Sequence, residues 1–314
     1  MNQTGDLIDI SGYPIAIVLK QLLEDKSSGK NIIWATDSYE EFGEAFRDKA
    51  QMEEQSLLRH AGVVCPRIRK SQAAQEERTR KKAEVFTPAW LCNQMNNHLD
   101  EDWFGRPNVF NTEHEDHAWT ATEGKVAFPE GKEWREYVDS RRLEITCGEA
   151  PYLVSRYDVS TGELIAPLIR RIGILDRKLR VVNENTDTYE EWVEWALRAF
   201  EACYGYEYQG DSVLIARANL LLTFVDYFEE RWQRRPEEKL LKQLANKIAW
   251  NIWQMDGLKD TVPLGKPYVE NRQLSLWGMF GFEEENEGAP EAVPCKIYNW
   301  RSGASLRFMD LKRR

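Results

Sequence analysis

The sequence has few cysteines, few histidines and no long apolar run, and each shortage removes a class of protein. Its five cysteines (Cys65, Cys92, Cys147, Cys203, Cys295) lie far apart, are odd in number and include no C-x-x-C pair. That spacing excludes a zinc ribbon and a disulfide framework and suits a reduced, cytoplasmic chain. No apolar stretch approaches the roughly 20 residues that span a bilayer. With 30% charged residues and a mean hydropathy of −0.61, no membrane partner is expected. Asp6 and Asp9 interrupt the first apolar stretch, so the N-terminus lacks a signal-peptide pattern. Basic charge is also short: 42 Lys and Arg against 52 Asp and Glu leave a net charge of −10. Phosphate binding draws most of its affinity from basic side chains, so any DNA contact is confined to one face or shared with a partner.

What is present divides in two. Residues 1–75 read as a small, mostly helical N-terminal module, with a buried helix through Ile15, Val18, Leu19, Leu22 and Leu23 and a short strand at 31–36. Residues 76–314 read as an α/β domain. Across the junction, 67–82 carries seven basic residues against Glu76 and Glu77. Arg67, Arg69, Lys70, Arg78 and Arg80, followed by Lys81 and Lys82, are candidates for DNA phosphate contact; a solvated helix face or linker is the alternative. His114 and His117 stand among Glu113, Glu115 and Asp116. Without a second ligand pair at a defined spacing they read as a solvated loop, and no metal is assigned.

Further on, 170–182 resembles a buried segment. Thr188 and Glu191 form a capping-box pattern at the head of a helix over 188–203, with Trp192, Trp195, Ala196, Ala199 and Phe200 along one face. A strand at 204–208 leads past Gly210 into a long helix to about 232, and the apolar period predicts another helix over 240–253. Residues 258–294 read as a long connection or lid, and 296–309 as a hairpin at the sheet edge.

The chain is organised around Leu143-Glu144-Ile145-Thr146-Cys147-Gly148-Glu149-Ala150-Pro151-Tyr152-Leu153. A strand-like entry runs into small and turn-forming residues, and Gly148 can take a positive φ where a ligand must approach the backbone. Upstream stands Glu84-Val85-Phe86-Thr87-Pro88; downstream stand Tyr204-Gly205-Tyr206-Glu207 and Gln254-Met255-Asp256-Gly257. A carboxylate at the end of the second strand, as at Glu207, is placed to accept hydrogen bonds from ribose hydroxyls.

This series, spanning about residues 80–260, resembles the S-adenosyl-L-methionine (SAM) motifs of amino-group DNA methyltransferases, closest to the adenine-specific M subunits of restriction-modification systems. The resemblance implies a Rossmann-like sheet with helices on both faces. It implies SAM held by Phe86, Thr87, Pro88, Glu144, Cys147, Gly148, Tyr152, Glu207 and Asp256, with Glu207 toward the ribose and Asp256 toward the adenine. It further implies a DNA adenine amine as the target.

Enzymes of that kind carry an Asn/Asp-Pro-Pro-aromatic motif that aligns the amine, and this sequence has no Pro-Pro dipeptide. The nearest substitute is Tyr298-Asn299-Trp300, the candidate catalytic triplet. Alternatively the final hairpin corresponds to the segment before that motif in longer relatives. The expectation is therefore a subunit that a second protein completes. A non-catalytic module for assembly, regulation or nucleic-acid binding is the other reading, and a metabolite methyltransferase a third.

Overall fold

The computed structural model describes residues 7–60, 62–82, 87–268 and 290–312. Phe86 lies outside these residues, as do 269–289 of the expected connection and the side chains of Lys81 and Lys82. In order, the chain forms α1 (Ile15–Leu23), β1 (Glu24–Asp25), β2 (Lys30–Asn31), α2 (Glu54–Arg59), α3 (Gln72–Lys82), α4 (Ala89–Phe104), β3 (Asn111–Glu113), β4 (Trp119–Ala121) and α5 (Trp134–Val138). There follow β5 (Arg142–Glu144), α6 (Ile174–Asn185), α7 (Tyr189–Glu201), β6 (Cys203–Glu207), α8 (Gly210–Trp232), α9 (Glu238–Asn251), β7 (Ile252–Gln254), β8 (Lys296–Asn299), β9 (Ala304–Arg307) and α10 (Met309–Lys312). The architecture is mixed α/β, with small sheets, none of them closed.

The sheet that matters is β5-β6-β7, parallel throughout, with Leu143 opposite Tyr204 and Tyr206 opposite Trp253. Parallel neighbours need helical crossovers, supplied by α6–α7 and then α8–α9. Helix α7 starts as its sequence predicts, the Thr188 hydroxyl accepting the Glu191 N–H. Its apolar face, with Trp192, Ala196 and Phe200, packs into the main core. Helix α9 ends two residues before the expected point, and Ile252 and Trp253 enter the sheet instead. The Asn251 amide holds that change of direction, donating to the carbonyls of Phe200 and Cys203.

The two faces of this sheet differ. Cys203 and Ile252 belong to the large core built by α1 and α5–α9, whereas Tyr206, Trp253 and Met255 pack against Cys295, Ile297 and Phe308 of the C-terminal segment. Helices were expected on both faces, but the second face is covered by the β8–β9 hairpin, which forms its own two-stranded sheet. Residues read as an N-terminal module share the main core: Ile15, Val18, Leu22, Trp34 and Phe46 are buried with the side chains of α8 and α9. The strand expected at 31–36 is reduced to Lys30–Asn31 and an isolated bridge from Ile33 to Gln51.

Charged residues join distant parts of this core. Arg177, in α6, pairs with Asp100 at 2.5 Å and donates to Asn93 and Asn97 on α4, while Tyr137 donates to the same aspartate. Buried Asp211, at the head of α8, accepts from Tyr39, Lys70 and Arg78. The two cations hold its carboxyl well below the usual range, against the opposing effect of burial.

Candidate functional site

At the carboxyl ends of β5 and β6 lies a cavity of 1320 Å³. Cys147 and Gly148 of the 147–150 turn line it. After β5 the Cys147 N–H donates to the Tyr206 carbonyl at 2.8 Å, drawing the turn over the end of β6. The Cys147 side chain is buried beneath it against Gly205, where an added Cβ would meet the sulfur at 3.2 Å. Burial pushes that thiol well up, and Cys147 packs against the sheet. Thr146 and Ala150 flank Gly148 with φ of 47° and 65°. Side chains in this left-handed region store about 1–3 kcal/mol each. The surrounding structure holds a strained backbone under the cavity.

Three carboxylates hold the turn. Glu144 accepts the N–H groups of Tyr152 at 3.4 Å and Leu153 at 3.1 Å. Burial, which outweighs those bonds, pushes its pKa up to about 8, with Glu207 adding to the rise. Glu149 accepts from the Arg67 N–H and the Tyr157 hydroxyl, each at 2.6 Å. Glu207 accepts the Gly148 N–H at 2.9 Å on one oxygen and the Tyr208 N–H at 2.7 Å on the other. The Gln209 N–H reaches that second oxygen as well, at 3.3 Å, and together these bonds orient the Glu207 carboxylate.

Among the residues expected to hold a cofactor, Thr87, Glu144, Cys147, Gly148, Tyr152 and Glu207 line this cavity together. Pro88 is the N-cap of α4, and the first amide of that helix, Ala89, donates to Asp158 at 3.1 Å. The N-terminus of the helix that follows Thr87 and Pro88 thus already serves a carboxylate of the chain. Asp256 is not among the lining residues. It accepts the N–H groups of Leu258 and Lys259 and so caps its own turn, the local bond that Asp-Gly sequences favour.

The candidate catalytic triplet stands apart from the cavity. Tyr298 and Asn299 line a separate, smaller concavity of 140 Å³ on the hairpin side of the sheet. The Asn299 amide oxygen accepts the backbone N–H groups of Arg301 and Ser302, and Trp300 donates to Asn251. These residues form a hairpin turn and its packing.

The basic segment is also partly redirected. Lys70 and Arg78 point inward to Asp211, and Arg67 donates to the Gln75 carbonyl and the Thr79 hydroxyl. Arg69 and Arg80 remain exposed, and Arg80 lines the cavity. His117 stacks on Trp90 with ring centroids 4.0 Å apart. Among the described residues no group of three His, Cys, Asp or Glu is disposed to hold a metal. None of the described helices is long and apolar enough to cross a membrane.

Sequence reasoning missed one wall of the cavity. Met95 and Leu99 are one turn apart on α4 and line it while 50% and 41% exposed. Their i,i+4 spacing was the available signal, but it reads equally as a core stripe.

No protein-family model, curated protein or solved structure matches this chain. The functional reading rests on the site.

Proposed function

We propose that the chain binds SAM in the 1320 Å³ cavity and serves as a methyltransferase-type subunit of a restriction-modification or related phage-defence system, with a DNA adenine amine as the target. The observation that carries this reading is the hydrogen bond from the Gly148 N–H to Glu207 at 2.9 Å. It joins the glycine turn after one parallel strand to the carboxylate at the end of the next, where nucleotide ligands of open α/β sheets bind. The lining side chains suit the cofactor. Glu207 would accept from ribose hydroxyls, the ring of Tyr152 offers a flat apolar face, and Arg80 supplies a cation for a carboxylate. When bound, SAM supplies an electrophilic methyl group.

This chain's own residues bind and orient; they do not complete the transfer. An attacking amine must be aligned within about an ångström, and the Asn299 amide belongs to a turn outside the cavity. A second protein would bring the aligning acceptor and target recognition, and DNA would be the shared partner. That same placement of Asn299 favours the second reading, a non-catalytic module retaining the cofactor pocket. The purified chain, given labelled SAM and mixed-sequence duplex DNA, is expected to transfer no label. Label in adenine that disappears in Asn299→Ala would contradict this and make the triplet catalytic.

A further inference from the structure

The cavity is lined along the whole length of β5, by Arg142, Leu143 and Glu144 and then Ile145. Strand β5 is the outer strand of its sheet, with β6 on one side and no strand on the other among the described residues. The Arg142 N–H donates to the Ala202 carbonyl at 2.9 Å, so Arg142, and by alternation Glu144, turn their backbone groups toward β6. Leu143 turns its N–H and C=O outward, as an edge does.

Both faces beside this edge are concave. On one side is the large cavity; on the other is the 140 Å³ concavity formed with Tyr204, Trp253, Ile297 and Phe308. Leu143 lines both. The large cavity also gathers apolar side chains that remain accessible: Met95 at 50%, Leu99 at 41%, Leu143 at 46% and Ile145 at 62% exposed. At 1320 Å³ it exceeds the roughly 300–1,000 Å³ that small ligands occupy.

A hydrogen-bonding edge between two apolar hollows selects an extended backbone carrying apolar side chains on both faces. Such a strand reads as a continuous Val/Ile/Leu run, the pattern of strands buried within parallel sheets. Ligands of open α/β sheets bind where the strand order reverses, and here the glycine turn follows an outer strand. A strand added beyond β5 would create that reversal.

We infer that the Leu143 edge accepts a β-strand from a second polypeptide, apolar on both faces and parallel to β5, whose following residues reach the mouth of the cavity. This deepens the function proposed above by naming how its partner engages. The strand site itself stands on the open edge, independently of the cofactor.

The test uses the full chain and a lysine-flanked synthetic peptide with a core of about six valine and isoleucine residues, a typical strand length. Amide hydrogen exchange is expected to be fast at Leu143 in the chain alone and slowed by saturating peptide. Leu143→Pro removes the outward N–H, a change that edge strands tolerate, together with the leucine side chain that lines both hollows. It should weaken peptide binding at least tenfold. Leu143→Lys, which keeps the amide and places a charge in the slot, should weaken it likewise should the proline variant not fold. Three results overturn the inference: peptide binding indifferent to these substitutions, protection at Leu143 in the free monomer from its own chain, or protection that dilution abolishes, which makes a second copy the occupant. Loss of SAM binding with peptide binding intact would remove the cofactor reading alone.

Discussion

Glu144 should make the stability of this protein fall across neutral pH, and its replacement by glutamine should abolish that fall. The carboxyl is buried beneath the turn, where burial, reinforced by Glu207, outweighs the N–H groups of Tyr152 and Leu153 and raises its pKa from 4.5 to about 8. A raised folded-state pKa means that the folded protein holds a proton that the unfolded chain releases. The contribution is therefore full below about pH 4.5 and is lost as pH rises through about 8. At about 1.36 kcal/mol per unit, the shift corresponds to roughly 5 kcal/mol at the alkaline end. Denaturant unfolding of wild type and Glu144→Gln at a series of values from acid to alkaline pH measures it. Relative to the variant, wild type should lose several kcal/mol as pH rises. Parallel profiles would refute the reasoning and show Glu144 ionised in the folded protein.

Other consequences follow from packing. Gly210→Ala would place a Cβ 2.0 Å from the Ile33 carbonyl oxygen, with backbone on both sides of the clash. A loss of about 3 kcal/mol or more is expected in the midpoint of chemical unfolding. Arg78→Met would leave buried Asp211 with Lys70 and Tyr39 only. Removing one partner of a buried ion pair costs about 3–5 kcal/mol, and a stability change within experimental scatter would show that the pair with Asp211 does not stabilise the fold.

Much of the sheet was legible from local pattern. The Leu143 strand, the Thr188 cap, the strand ending at Glu207 and the C-terminal hairpin all form near their expected positions because their signals lie within a few residues. Strand β7 escaped notice because no glycine or proline separates it from α9, and Trp253 continues the apolar period of that helix. The basic run at 67–82 was misleading for a different reason. The carboxylate that draws Lys70 and Arg78 inward lies 141 and 133 positions away, beyond any local pattern. Asp256 and Asn299 show the limit of motif order: each has the expected residue type, yet each side chain is used by its own turn. The cavity residues Thr87, Gly148 and Glu207 were found because a strand end, a glycine turn and a carboxylate in sequence order have a spatial meaning in a parallel sheet.

The central claim is that this cavity binds SAM through Glu207, and calorimetric titration of SAM into the purified chain tests it most directly. Saturable binding at one site is predicted. Glu207→Ala, with its fold verified by circular dichroism, should lose a charge-assisted acceptor of about 1.5–3 kcal/mol, ten- to a hundredfold in affinity. The absence of binding by wild type, or wild-type affinity in folded Glu207→Ala, would contradict the account.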